Sequence, residues 1–137
     1  MARDKIHDAV KNALIKDGWV ITDDPLVILP DEDNIGIDLG AEKVLLAEKG
    51  LEKIAVEIKS FAQPSLIYEF HRAIGQYFDY ESALIEANEP RTLFAAIPNR
   101  IYPRLIQSRV IKRSIERINM RIILVDTETE TIESWIK

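Results

Sequence analysis

Apolar positions recur with two different periods along the chain, and the changes between them predict alternating helices and strands. Helical spacing of apolar side chains predicts a first helix over residues 3–17. Gly18 marks its end, because glycine is favoured at the position just after a helix. Runs rich in β-branched residues then predict strands. These strands are expected over 19–29 (as one strand or two short ones), over 34–39, and as a hairpin over 43–60.

The second half of the chain repeats the alternation with longer helices. Pro64 and Ser65 open a helix that runs to about Asn88, with Ser65 as its cap. The spacing of large apolar residues on this helix predicts a core stripe of Ile67, Phe70, Ile74, Phe78 and Ile85. The remaining predicted elements are a buried strand over 92–97, a third helix over 103–119, a buried strand over 121–125 and an edge strand over 131–136.

The order of these elements predicts the fold class. The strands over 92–97 and 121–125 each follow a helix, so parallel pairing through right-handed crossovers is expected there. The hairpin must be antiparallel. The sequence therefore predicts an α/β protein (α+β, mixed) in which helices flank a mixed central sheet.

Composition narrows the class of protein. With 137 residues the chain is expected to form a single domain, 1–137, and its 47% hydrophobic and 30% charged residues are typical of a globular protein. It contains no cysteine, which excludes disulfides, thiolate catalysis and cysteine-based zinc sites. No apolar run approaches the ~20 residues that cross a bilayer, and the charged N-terminus lacks a signal region. A cytoplasmic protein is expected, with no membrane partner.

Charge is unevenly distributed. The net charge of −5 argues mildly against non-specific nucleic-acid binding. Between Arg100 and Arg121, however, basic residues dominate and Glu116 is the only acid. Such a basic surface can face phosphates, or it can be a solvated helix face. The residues predicted to contact nucleic acid on the third helix are Arg109, Lys112 and Arg113, with the 100–104 loop as an alternative.

The hairpin carries the clearest chemical pattern. On a strand, Glu57 and Lys59 share one face, while Ile54, Val56 and Ile58 face the other way. Upstream, Asp38 lies between Gly36 and Gly40, which leaves its strand face open. Two carboxylates, Asp38 and Glu57, can hold a divalent cation while Lys59 stabilises charge. The alternatives are a turn aspartate and an ordinary salt bridge on an exposed strand.

The following helix adds a polar line opposite its predicted core stripe. Gln76 and Tyr80 lie four residues apart and share a face with Glu69 and Arg72. Amide, guanidinium and phenol groups can position a phosphate or a water, so Gln76 and Tyr80 are added to the predicted site and Arg72 to the predicted phosphate contacts. The alternative is an amphipathic helix whose polar side faces solvent.

This combination resembles the PD-(D/E)xK nuclease superfamily, which includes restriction enzymes and Holliday-junction resolvases. The superfamily pattern is an Asp, then Glu-x-Lys on the next strand, with a Gln-x-x-x-Tyr variant on the following helix, matched here by Gln76 to Tyr80. Ile37 stands where that pattern often has proline. The resemblance implies a restriction-endonuclease-like, Holliday-resolvase-like core, Mg²⁺ or Mn²⁺ as cofactor and DNA as substrate.

The whole chain resembles more closely the XisH family of cyanobacterial fdxN-element excision controlling factors. The resemblance extends over nearly the full length of the chain. It implies control of programmed excision of a DNA element, a small XisI-type protein as partner and, by analogy with resolvase-like nucleases, a homodimer. The segments that carry it are 7–10, 14–19, 37–40, 56–61, 75–80 and 95–98.

Three residues of the first helix are further candidates for the metal site. Superfamily members often carry an acidic ligand there, and Asp4, His7 and Asp8 are all compatible with that role. His7 has the alternative of being an ordinary surface histidine.

Two functions from different classes remain open at this point. In the first, the protein is a Mg²⁺- or Mn²⁺-dependent DNA endonuclease that uses Asp38, Glu57, Lys59, Gln76 and Tyr80. In the second, it is a catalytically silent DNA- or protein-binding accessory factor on a nuclease fold. Either is compatible with a subunit of a hetero-oligomer.

Overall fold

The computed structural model describes residues 2–23 and 44–137, in which helices and strands alternate as the sequence predicts. The order is helix, strands, helix, strand, helices, strands. The elements are α1 (Ala2–Lys16), β1 (Val20–Asp23), β2 (Val44–Lys49), β3 (Glu52–Ile58), α2 (Leu66–Glu86), β4 (Thr92–Pro98), α3 (Tyr102–Ile106), α4 (Arg109–Ile118), β5 (Ile122–Asp126) and β6 (Thr131–Ile136).

The six strands form one sheet in the order β1-β2-β3-β4-β5-β6. The pairs β3–β4 and β4–β5 are parallel, and the outer pairs are antiparallel. This confirms the predicted mixed α/β sheet, including parallel pairing of the two strands that follow helices. The hairpin is also confirmed, with Gly50 at φ 62° in its turn, a conformation that glycine adopts without steric cost.

The structure corrects the predicted third helix, and two of the predicted strands lie wholly or mostly outside the described residues. The third helix, expected over 103–119, is instead divided into α3 and α4. The reason is Ser108, whose backbone is extended and whose hydroxyl accepts a hydrogen bond from the N–H of Ile111 at 3.2 Å, so it caps a new helix. The expected strand over 34–39 and most of the one over 19–29 lie outside the described residues.

The sheet separates two hydrophobic cores. On one face, α1 packs through Ile6, Val10 and Leu14 against strand residues that include Val56 and Phe94. The other face is covered by α2, α3 and α4. Because side chains alternate along β3, Ile54, Val56 and Ile58 belong to the α1 core and Ala55 to the α2 core, as the strand pattern predicts.

An arginine holds the strands together at the amino end of β4. Arg91, with a side chain only 7% exposed, pairs with Glu89 at 2.7 Å and with Glu48 at 3.0 Å. Its guanidinium also donates to the carbonyls of Ala47 and Ile54. One cation thus satisfies groups on β2, β3 and the connection before β4, which is the arrangement that makes a nearly buried charge tolerable.

The predicted core stripe of α2 is confirmed for Phe70 and in part for Ile74, which packs at the margin of the core, and is wrong for the other three residues. Ile67, Phe78 and Ile85 are 47%, 62% and 72% exposed, and Ile74 is only partly buried. The helix is rotated so that small and tyrosine side chains face the sheet. The buried residues are Phe70, Ala73, Tyr77, Tyr80, Ala83 and Leu84.

Tyr77 shows why a tyrosine can replace an isoleucine in this core. Its hydroxyl donates to the carbonyl of Leu93 and accepts from the N–H of Arg121, both at 3.1 Å, so its polar end is satisfied although the residue is 1% exposed. Burial raises the pKa of the Tyr77 hydroxyl, and the hydrogen bond from the Arg121 backbone opposes that shift. Through these two hydrogen bonds, the Tyr77 side chain joins α2 to β4 and to the start of β5.

Candidate functional site

Glu57 is the one charged residue that is fully buried among the described residues. It lies near the carboxyl end of β3, on the face covered by α2, and its strand neighbours in register are Val44 on β2 and Ala95 on β4. A carboxylate with no solvent exposure is costly unless charges or hydrogen bonds support it. Its burial is therefore the first sign of a specialised site.

Lys59 supplies a positive charge beside this carboxylate. Its Nζ lies 3.6 Å from Glu57 Oε2, and its side chain is only 12% exposed. Its backbone N–H donates to the carbonyl of Ala96 at 2.9 Å, which continues the parallel ladder one residue beyond β3. The strand pattern thus correctly places Glu57 and Lys59 on the same face.

Gln76 of α2 holds the lysine in place. The Lys59 ammonium donates a hydrogen bond to Gln76 Oε1, which joins the helix to the end of β3. The structure therefore brings together three of the predicted site residues: Glu57, Lys59 and Gln76. The group combines a buried carboxylate, an amide and an ammonium near the carboxyl end of β3.

Tyr80 and Arg72 lie on the same side of α2 as Gln76 but in different surroundings. Tyr80 is 2% exposed and packs within the hydrophobic core. Arg72 is on the surface, half exposed, with Nη1 3.7 Å from Glu69 Oε2. Of the predicted polar line, Gln76 is thus the member that contacts the Glu57–Lys59 pair.

The predicted partner carboxylate, Asp38, lies outside the described residues, and so does the side chain of Asp4. On α1, His7 is half-buried and Asp8 is exposed. The helix itself packs on the sheet face opposite Glu57. Over residues 2–23 and 44–137, no group of three or more His, Cys, Asp and Glu side chains comes together that could hold a metal ion.

A groove of about 630 Å³ lies at the carboxyl ends of β3, β4 and β5 and begins at Ser60, the residue after Lys59. Ser60 and Phe61 form one wall, directly after Lys59. Three basic side chains line it, Lys5 from α1 and Arg100 and Arg104 after β4, together with the acidic Glu128 and Glu130. Carboxyl ends of parallel strands are where open α/β sheets bind ligands, so the location suits a binding site.

Phe61 has an unusual backbone at this place. Its φ is 53°, in the left-handed region, although its ring is buried in the α2 core. Residues with a Cβ are sterically disfavoured in the left-handed region, and those that adopt it cluster at functional sites. This conformation could not be predicted from the sequence, because nothing local in Ser60-Phe61-Ala62 favours positive φ.

Lys5 was also missed by sequence reasoning. It lies far from Lys59 along the chain, and only the packing of α1 brings its end of the helix to this edge of the sheet. Arg100 could have been placed beside Ser60 from sequence, because residues that follow neighbouring parallel strands meet at one edge.

The basic residues of α4 face outward as expected. Arg109, Lys112 and Arg113 are exposed, while Ile111 and Ile115 are buried. Arg113 Nη1 is 4.0 Å from Glu116 Oε1, an exposed pair of little energetic weight.

In the described part of the chain, no helix has the length and apolar character that crossing a bilayer requires.

These features define a mixed α/β protein with a buried carboxylate–ammonium pair at the carboxyl edge of its sheet. The family model described as XisH protein matches residues 1–133, so the chain belongs to the XisH family. No curated protein matches it.

Two solved structures are similar over the full fold. An XisH family protein from Nostoc punctiforme PCC 73102 is 39% identical, with a TM-score of 0.84 over 98% of this chain and 100% of that one. An fdxN element excision controlling factor protein from Anabaena variabilis is also 39% identical, with a TM-score of 0.84 over 98% and 99%.

Proposed function

We propose that the protein hydrolyses phosphodiester bonds in DNA with the help of a divalent cation, at a site built from Asp38, Glu57, Lys59 and Gln76. The observation that carries the proposal is the fully buried Glu57 carboxylate beside an ammonium that a glutamine holds in place. A plain surface salt bridge needs neither burial nor a third residue. The mixed sheet between helical layers is compatible with a restriction-endonuclease-like core.

The donor atoms suit Mg²⁺ or Mn²⁺. Carboxylate oxygens of Glu57 and Asp38, with the backbone carbonyl of Ile58, are the hard ligands that these ions prefer. Glu57 alone is not enough, so the proposal requires Asp38 as the second carboxylate. When bound, such an ion would polarise the phosphate and lower the pKa of the attacking water.

The protein's own residues have separate tasks at this site. Lys59 places a positive charge where the phosphate gains negative charge in the transition state, and its low exposure strengthens that interaction. Gln76 orients the ammonium through their hydrogen bond. Tyr80, within the core, supports the segment of α2 that carries Gln76.

Basic side chains offer routes for the DNA backbone. Lys5, Arg100 and Arg104 line the groove next to Ser60 and could contact phosphates on either side of the cleaved bond. Further contacts are proposed at Arg72 and on the outer face of α4, at Arg109, Lys112 and Arg113. These cations would offset the net charge of −5 where DNA approaches.

Family membership supports a proposal for the biological role. A relative is described as an fdxN element excision controlling factor. We therefore infer that this protein takes part in controlling the excision of a DNA element, together with an XisI-type protein.

A second candidate function is a catalytically silent accessory factor that binds DNA or protein. One observation favours it: the net charge of −5, which opposes the approach of DNA to the site. Binding of Mn²⁺ separates the two functions. Calorimetry should detect it for the wild type in the presence of uncleavable DNA, and a silent factor would give no heat.

Cleavage assays test the main proposal directly. Wild-type protein with Mg²⁺ or Mn²⁺ should cut linear or branched DNA. Asp38→Asn, Glu57→Gln and Lys59→Met should each lower the single-turnover rate by about 10³-fold or more. Lys53→Met is the matched control, because Lys53 lies on the same strand and face but at the exposed opposite end. Equal rates for Lys59→Met and Lys53→Met would refute the proposal.

A further inference from the structure

The side of α2 away from the core carries a regular line of residues whose large apolar members, apart from the partly buried Ile74, are exposed in the described part of the chain. Phe78 and Ile85 are 62% and 72% exposed, and Ile67 is 47% exposed. With His71, Ile74 and Glu81 they recur at alternating intervals of four and three residues. We call this line the α2 seam: Ile67, His71, Ile74, Phe78, Glu81 and Ile85.

The α2 seam is separate from the face of the helix that builds the core. At about 100° per residue, the seam lies roughly a quarter of a turn from the line through Phe70, Ala73 and Tyr77. Alternation of three and four is the spacing with which one helix packs along another. A helix with an apolar seam on each of two sides is expected to be covered on both.

The seam is complementary to itself when read in the opposite direction. In an antiparallel pair of α2 helices related by a two-fold axis at the level of residue 76, Ile67 faces Ile85 and Ile74 faces Phe78. The two polar members, His71 and Glu81, then face each other. An imidazole N–H can donate to a carboxylate whether or not the ring is protonated, so this layer is satisfied as well.

A parallel pair would fail the same test. It would place Glu81 against Glu81 and His71 against His71, so both polar layers would join like groups. It would also align the two helix dipoles unfavourably. Only the antiparallel pair combines apolar layers with polar layers in which a hydrogen-bond donor faces an acceptor.

We propose that a second copy of this chain covers the α2 seam, which makes the protein an antiparallel, two-fold homodimer. The interface is isologous, as in most homodimers. Gly75 lies beside the seam, near the two-fold axis, and a Cβ at this glycine would meet no atom within 4 Å. That open surface lets the two helices approach closely next to Phe78.

Pairing through the seam leaves the candidate site accessible. Gln76, which contacts Lys59, lies about half a turn around α2 from Phe78 and Ile74. The Glu81 carboxylate also keeps its contact within the chain, where Oε2 lies 3.5 Å from Arg121 Nη1. Its second oxygen can accept from His71 of the other copy.

Sedimentation equilibrium tests the dimer over a range of concentrations. The wild type should have twice the chain mass of 15.7 kDa. Phe78→Glu should weaken association by at least ~100-fold, because it buries a charge in an apolar layer. Val110→Glu is the matched control, since Val110 is 73% exposed on α4 and lies outside the seam.

Charge exchange tests the register. His71→Glu should weaken the dimer about 10-fold by facing Glu81 with a carboxylate, and His71→Glu with Glu81→Lys should restore it. The two residues are about 15 Å apart along one helix, so restoration can arise only between chains.

Disulfide formation tests the direction of the helices, because the chain has no cysteine of its own. Ile74→Cys mixed with Phe78→Cys should link under oxidation, while neither variant should link with itself. Self-linking of each variant would indicate a parallel pair and would overturn the proposal.

A monomeric wild type at every concentration would overturn it too. If Phe78→Glu then lowered the melting temperature, the seam would be covered by another segment of the same chain.

Discussion

The two flanks of α2 differ in a way that reverses the usual expectation for an amphipathic helix. The flank with Glu69, Arg72 and Gln76 is polar, yet it borders the core and the Glu57–Lys59 pair. The flank with Phe78 and Ile85 is apolar, yet it is exposed. The comparison teaches that periodicity identifies faces that must be covered, but it does not say whether the cover comes from the same chain.

Tyr77 and Phe78 are adjacent aromatic residues on the buried and the exposed side of α2, and they should show the largest difference in stability between the two sides. Tyr77→Ala should lower the free energy of unfolding by about 3–5 kcal/mol, because it empties a buried site. Phe78→Ala should change it by no more than about 0.5 kcal/mol in dissociated protein. Urea unfolding at low protein concentration measures both. Similar losses for the two variants would mean that α2 is rotated differently from the structure.

Removing only the hydroxyl of Tyr77 should have a smaller effect. Tyr77→Phe leaves the Leu93 carbonyl and the Arg121 N–H without this partner, at a cost of about 1–3 kcal/mol. Because burial raises the pKa of Tyr77, its contribution is complete below the ordinary value of 10.0 and is lost as the pH rises through the raised value.

The difference in unfolding free energy between wild type and Tyr77→Phe should therefore shrink above pH 10.0. Unfolding curves at neutral and alkaline pH measure it. A difference that grows with pH would contradict this assignment.

The smallest expected effect concerns the polar flank. Gln76→Ala removes the acceptor that orients the Lys59 ammonium but leaves the ammonium itself, so single-turnover DNA cleavage should fall only about 10-fold. Ser82→Ala is the matched control, because the Ser82 hydroxyl on the exposed side of α2 donates only to the Phe78 carbonyl of its own helix. Equal rates for the two variants would remove Gln76 from the site.

Much of the fold could be predicted from sequence, because the pattern of apolar residues along a strand indicates which of its faces are buried. Alternation along β3 correctly assigned Val56 to one core and Glu57 to the other face, and the apolar run of β4 indicated its central position. The break between α3 and α4 at Ser108 could not be predicted in this way, because a serine between two apolar helical turns is compatible with one helix or two. Its extended backbone is decided by how α3 and α4 pack.

The candidate site was predictable only in part. Glu57 and Lys59 followed from strand periodicity, and Gln76 from its helical line. The error on α2 arose because large aliphatic residues were ranked above tyrosines for burial, whereas Tyr77 and Tyr80 are the ones that fill the core. Partners such as Lys5 come from a distant segment, and local pattern carries no information about them.

The left-handed turn at Phe61 has a consequence for how the site is assembled. An aromatic residue disfavours that conformation by about 1–2 kcal/mol in an isolated chain. The bend becomes favourable only once its ring has a place among the side chains of the α2 core. The alignment of Lys59 with the helix that follows therefore depends on the packed core, and the geometry of the candidate site should form and be lost together with the folded state.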